Sequence, residues 1–150
     1  MRFLSRTPVR TFLLYPLATL VWEWIIHAGR IEINPWFLPL MIWGYLQYRL
    51  CGRYRGRRGG GGPGPEVPPE SLVATGLYSY TRNPMYLGHI IFLTGLTLTL
   101  QSWLAALITV AVTIWFHLRV LADERNLTVK LGQPYVVYTK SVKRWIPGLF

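Results

Sequence analysis

A chain of 150 residues that is 51% hydrophobic, with positive mean hydropathy, suits one domain and is too apolar for an ordinary water-soluble protein of its size. Its 16 Lys and Arg against 6 Asp and Glu leave +10; the basic residues fall between hydrophobic runs rather than on one polar helix face, which points to an anionic leaflet and away from nucleic acid. One cysteine, Cys51, excludes an intrachain disulfide and a cysteine-based metal cluster.

The chain opens on MRFLSRTPVR and continues TFLLYPLATLVWEW, which imitates a signal peptide. Glu23 interrupts the apolar run and no A-x-A-like cleavage site follows, so a retained first helix is expected. Residues 11–29 carry Glu23 as their single charge, and at ~1.5 Å per residue they reach roughly 28 Å, close to the ~30 Å of a hydrocarbon core. Glu23 has His27 four residues on and Arg30 nearby, and reads as part of a local polar pair. Residues 33–48 form a second, short span that Arg49 lengthens by snorkelling. Cys51 then reads as an ordinary thiol near the membrane surface, with palmitoylation as the alternative.

The stretch GRYRGRRGGGGPGPEVPPE, within a loop at 51–71, reads as a flexible linker whose arginines meet anionic headgroups. It contains no Lys, so it is not a phosphate-cradling P-loop. It separates two N-terminal spans in 1–50 from a motif-bearing part, 72–150. From Asn83 to Leu118 there is no Asp, Glu, Lys or Arg. That run is too long for one helix and fits two spans, 84–100 and 103–120, joined by a tight turn at Leu100-Gln101-Ser102. Arg2, Arg6 and Arg10, then Arg49, Arg53, Arg55, Arg57 and Arg58, then Arg119, Arg125, Lys130, Lys140, Lys143 and Arg144 all fall on one side; the other side has Arg30. The positive-inside rule makes that side cytoplasmic, with both termini and the central loop on it.

After the fourth span the character becomes amphipathic. A surface helix is expected to about Leu131, then a break at Gly132 and Pro134, then a second short helix through Tyr135 and Tyr138. Trp145-Ile146-Pro147 should anchor the tail at the interface. The expected fold is all-α: a polytopic membrane protein, one domain over 1–150, with about four transmembrane helices and a C-terminal cytoplasmic helical cap.

Two polar clusters remain. Arg82-Asn83-Pro84 stands at the threshold of the uncharged run; either Asn83 caps a helix with Pro84 in its first turn, or the threshold is a binding site. Arg119 has Asp123 four residues on and Glu124 five on, which is a surface pair or part of a site. The tight turn makes spans three and four neighbours, so the clusters should meet in space. His89 and His117 read as buried, hydrogen-bonded histidines, and no His, Cys or carboxylate set has metal-ligand spacing.

GLYSYTRNPMYLG (76–88), R-x-x-x-D-E (119–124) and LGQPYVVYTKSVKRWIP (131–147) together resemble the C-terminal half of the isoprenylcysteine carboxyl methyltransferase and phospholipid methyltransferase superfamily, integral membrane enzymes that use S-adenosylmethionine. The resemblance covers 72–150. The family pattern is Arg-His-Pro-x-Tyr with a Glu-Glu pair; here Asn83 replaces His and Asp123 replaces the first Glu. Asn cannot titrate near neutrality, so position 83 should position rather than transfer protons.

The resemblance implies that Arg82, Asn83, Pro84 and Tyr86 hold the cofactor, with Tyr78, Tyr135 and Asp123 as further candidates. It also implies that Arg119 and Glu124 face the junction of cofactor and a lipophilic or membrane-delivered acceptor. Arg119 could hold an acidic acceptor; Glu124 could instead take a proton from an amine or thiol, in which case Glu124→Gln should abolish turnover and spare the fold. Two other readings carry the same block: a nicotinamide-dependent sterol reductase, which resembles much longer chains, and a non-catalytic membrane scaffold.

Overall fold

A computed structural model describes residues 6–60 and 69–146. Parts of three expectations lie outside them: Arg2 of the basic start, 61–68 of the linker, and Pro147. The regular elements among the described residues are all helical.

Helix α1 spans Thr7–Ile26, with a π-helical stretch at Arg10–Leu14. The wide turn lies just before Pro16, which has no N–H to return to the preceding turn. The helix stops three residues short of the expected 29, where Ala28 and Gly29 take positive φ. A 3₁₀ turn at Pro35–Phe37, capped by Asn34 accepting from the Trp36 N–H at 3.2 Å, leads into α2, Leu38–Gly59.

Helix α2 corrects the expectation for 51–71, because helix rather than linker continues through the arginine cluster. Arginine is a good helix former, Arg58 lies 4.9 Å over the Tyr54 ring one turn back, and cations suit the negative end of the helix dipole. After the undescribed segment, Glu70 and Ser71 donate their N–H groups to the Gly59 carbonyl at 2.7 and 2.9 Å.

Helix α3, Pro84–Leu100, has the expected bounds, with Pro84 in the first helical position, where a missing N–H costs nothing. Ser102 caps the next helix by accepting from the Ala105 N–H at 3.2 Å. That helix, α4, runs unbroken over Trp103–Leu131. No boundary falls at 120, because RVLADERNLTVKL contains neither Gly nor Pro. The surface helix expected to follow the fourth span is the same helix continued, ~43 Å in all. It ends before Gly132, whose φ of +63 is a conformation that side chains resist, and α5 follows at Gln133–Ser141. By length and composition α1 and α4 could cross a membrane; α3 is a shorter apolar helix.

The chain packs as two units. The first takes the chain to Leu46 together with Gly88–Ile114; the second takes Gln47–Leu87 and the chain from Trp115 onward. In the first unit a Cβ on Gly44 would lie 2.5 Å from the Phe92 nitrogen and 2.6 Å from the Gly88 oxygen, so α2 and α3 meet there backbone to backbone. Phe12 fits among Tyr45, Phe92 and the fully buried His89, stacking on the imidazole at 4.7 Å. Thr97 and Thr109 exchange a 3.0 Å hydroxyl contact between α3 and α4. Glu23 and His27 form the expected i,i+4 pair at 3.1 Å.

Candidate functional site

Every polar feature of the site lies in the second unit. Its floor is set by buried hydrophobic side chains: Cys51, Val73, Tyr78 and Met85 form one cluster, and Tyr135, Tyr138 and Val142 another. The Tyr138 hydroxyl donates to the Tyr78 carbonyl at 2.6 Å, which ties α5 to the 3₁₀ turn Gly76–Ser79. Gln47 donates from Nε2 to the Pro84 carbonyl at 2.9 Å and fixes the start of α3.

Over this floor the two polar clusters meet. Asn83 donates from Nδ2 to Glu124 Oε1 at 3.4 Å and to the Arg144 carbonyl at 3.3 Å. Its side-chain amide therefore reaches across to α4 and the C-terminal segment. The Tyr86 hydroxyl donates to Asp123 Oδ2 at 2.7 Å, and Arg119 Nε stands 4.0 Å from the same oxygen. Arg119 also lies over the Trp115 ring at 5.4 Å. Arg82 reaches Glu124 Oε2 at 3.5 Å.

Arg144 completes the arrangement. It grips Glu124 Oε2 with Nε at 3.1 Å and with a terminal nitrogen at 2.8 Å. Its segment is sewn to the residues before α3: the Arg82 N–H donates to the Lys143 carbonyl at 2.9 Å, and the Thr81 hydroxyl to the Arg144 carbonyl at 3.1 Å. Sequence reasoning singled out Glu124 and missed Arg144, although Arg144 lies inside the third resembling block. Nothing in local spacing links a residue at 144 to one at 124.

These contacts change the reading of Glu124. Its Oε2 is held by the Arg144 guanidinium, with Arg82 at 3.5 Å, and its Oε1 accepts from the Asn83 amide, so the carboxylate organises its neighbours. Replacing Glu124 by Gln would leave Arg144 and Arg82 facing a neutral amide. His117 is also corrected: it is exposed and accepts from Trp145 Nε1 at 3.3 Å, so Trp145 packs against α4. Cys51 is buried, and desolvation pushes its thiol up to about 11, which keeps it protonated at neutral pH.

Between these groups lies an open cavity of about 240 Å³. Eight of the nine candidate residues line it: Tyr78, Arg82, Asn83, Tyr86, Arg119, Asp123, Glu124 and Tyr135. Pro84 does not; it is buried and starts the helix. Arg55, Asn126, Tyr138, Leu72, Leu127 and Leu131 also contribute walls. Burial raises the hydroxyls of Tyr78 and Tyr138 and pushes Tyr135 up to about 12, the nearby Glu124 adding to the last, so all three stay neutral donors. Arg144 is held charged more firmly than usual, chiefly by its hydrogen bond to Glu124.

The cavity thus has a polar end of arginines and amide and a wall of tyrosine and leucine. Arg82 Nε is buried without a hydrogen-bond partner among the described residues. Among the described residues no group of three or more His, Cys, Asp or Glu side chains could hold a metal ion.

The family described as phospholipid methyltransferase matches residues 40–132 of this chain. A protein-S-isoprenylcysteine O-methyltransferase of Schizosaccharomyces pombe is 32% identical over 78 residues, which are 51% of this chain and 33% of that protein. The matched part is thus about a third of that relative's length. No solved structure matches the chain.

Proposed function

We propose that this chain, which belongs to the phospholipid methyltransferase family, is a membrane-embedded enzyme that transfers a methyl group from S-adenosylmethionine to a lipophilic acid. The observation that carries the reading is the convergence of eight residues from three separate sequence blocks on one cavity. The cavity's residues fit the cofactor: Arg82 offers a buried Nε without a partner, and Tyr135, Leu127 and Leu131 offer a flat, apolar wall for a purine. When bound, S-adenosylmethionine supplies a methyl group on a sulfonium that leaves as a neutral thioether.

The chain's own residues supply alignment. Asn83, held between Glu124 and the Arg144 carbonyl, fixes the corner where α3 begins. Tyr86 holds Asp123, and Asp123 with Trp115 orients Arg119. Arg119 keeps a loose 4.0 Å contact and is about a quarter exposed, so its guanidinium is placed to orient an anionic acceptor bidentately. A well-aligned pair gains several kcal/mol from proximity.

The same geometry chooses among acceptors. A neutral amine or thiol must lose a proton, yet Glu124 is engaged by Arg82, Arg144 and Asn83, and Asp123 by Tyr86 and Arg119. A carboxylate acceptor attacks as the anion and needs no base, and the S. pombe relative is by its name an O-methyltransferase. We read the chain as one membrane domain with four crossings and cytoplasmic termini, supported by the placement of its arginines between apolar runs.

The experiment uses purified protein in detergent micelles with methyl-labelled S-adenosylmethionine, offered either a long-chain isoprenoid acid or phosphatidylethanolamine. Label incorporated into the acid and released as volatile methanol by alkali identifies a methyl ester. Alkali-stable label in phosphatidylethanolamine would instead mean N-methylation and overturn the choice of acceptor.

A further inference from the structure

A second groove in the same unit lies between the arginine-bearing end of α2 and the Gly76–Ser79 turn. Leu50, Arg53, Tyr54, Arg57, Arg58 and Leu77 help to line it, and among the described residues no carboxylate does. Arg53 and Arg57 are one helical turn apart on the same face and both are exposed. Neither pairs with an acid among the described residues. The helix dipole accounts for cations in the last turn, Arg57 and Arg58; it does not account for Arg53, more than a turn earlier.

The groove's shape is set by neighbours. Arg58 is drawn over the Tyr54 ring, and the Tyr54 hydroxyl is tied to the Thr75 hydroxyl at 2.7 Å. This steadies the wall opposite Arg53 and Arg57. Leu50 and Leu77 remain exposed at its edge, 55% and 37%, although each is a large apolar side chain. A groove lined by guanidinium groups and uncovered leucines matches a molecule that has an anionic group beside apolar chains.

We propose that this groove binds the headgroup of an anionic phospholipid, with its phosphate between Arg53 and Arg57 and the first carbons of its acyl chains on Leu50 and Leu77. Two guanidinium forks match phosphate oxygens in number and geometry. The occupant is a lipid rather than free phosphate because Leu50 and Leu77 stay exposed among the described residues, and because α2 leads into the site from the apolar run 38–46. The proposal does not depend on the methyl-transfer reading, since none of the residues invoked lines the larger cavity.

The full chain is purified in phosphatidylcholine micelles doped with phosphatidylglycerol, and retained lipid is counted by native mass spectrometry with no methyl donor present. Wild type should retain phosphatidylglycerol in preference to phosphatidylcholine, and Arg53→Gln/Arg57→Gln should lower that preference about tenfold with an unchanged thermal midpoint. Independently, a photoreactive phosphatidylglycerol should label peptides containing 50–58 or 77 in the wild-type protein. Undiminished preference in the double variant, displacement of the lipid by equimolar glycerol phosphate, or labels confined elsewhere would each overturn the proposal.

Discussion

The two packed units hold together by different means. In the unit containing α1, contact is made by small residues and by hydroxyls that return to carbonyls of their own helix, as Thr19 does to Tyr15 and Thr109 to Ala105. Its outer surface is apolar: Val21, Trp24 and Ile25 of α1 and Leu107 of α4 are all more than half exposed. In the unit containing the cavity, contact is made by tyrosines and ion pairs that join segments distant in the chain. Where the surroundings are as apolar as the side chains, burial drives little association, and close backbone approach takes over. Where a polar ligand must be held, directional bonds fix the geometry instead.

This contrast breaks most sharply at Gly44. A methyl group there meets backbone atoms of α3, so Gly44→Ala should cost about 3 kcal/mol, the upper end for overpacking, read as a lowered thermal midpoint in detergent. A polar substitution at exposed Trp24 should leave that midpoint nearly unchanged.

The second unit should be the part that alkali attacks. Tyr135 is buried and its hydroxyl is held up to about 12, chiefly by desolvation, against ~10 in an unfolded chain. The unfolded chain therefore releases this proton first as pH rises. The stabilisation is complete below pH ~10 and is lost on rising through ~12, amounting to about 2 kcal/mol. Tyr135→Phe should flatten the denaturation profile over that window by about one proton.

Glu124→Gln should lower stability by about 2 kcal/mol, less than for a fully buried pair because Arg144 is 29% exposed. In a double-mutant cycle with Arg144→Gln, strong coupling is expected; additive losses would mean that the two side chains act separately. Tyr86→Phe, which removes one 2.7 Å bond to Asp123, should cost about 1 kcal/mol. It should also raise the KM for an acidic acceptor, through Arg119, more than it lowers kcat. Finally, S-adenosylmethionine rather than NADPH should stabilise the folded state, by ~2.7 kcal/mol at a hundred times its dissociation constant, read as a raised thermal midpoint. A response to NADPH alone would favour a reductase.

Much of this was legible in advance, for reasons that differ by residue. The bounds of α3 follow from Pro84 and the turn at Gln101-Ser102, both local signals. The meeting of Asn83 with Glu124 follows from the short α3–α4 turn, which leaves the two helices no choice but to lie side by side. The end of α2 was misjudged because a low-complexity run of arginine and glycine looks like linker by composition, while helix propensity and the Arg58–Tyr54 stack carry the helix on to Gly59. The unbroken α4 was misjudged because hydropathy changes at 120 while the backbone has no reason to stop there.

By itself the sequence determined the helical class and the apolar segments, since periodicity, breakers and turn chemistry act within a few residues along the chain; most of the cavity's residues were reached through the family resemblance of three blocks. Only the tertiary structure decided what Glu124 does. Its principal partner, Arg144, is twenty residues away, delivered by a segment that folds back to bond with Thr81 and Arg82. Which groups meet that carboxylate depends on atoms brought together by that return, which no local pattern records.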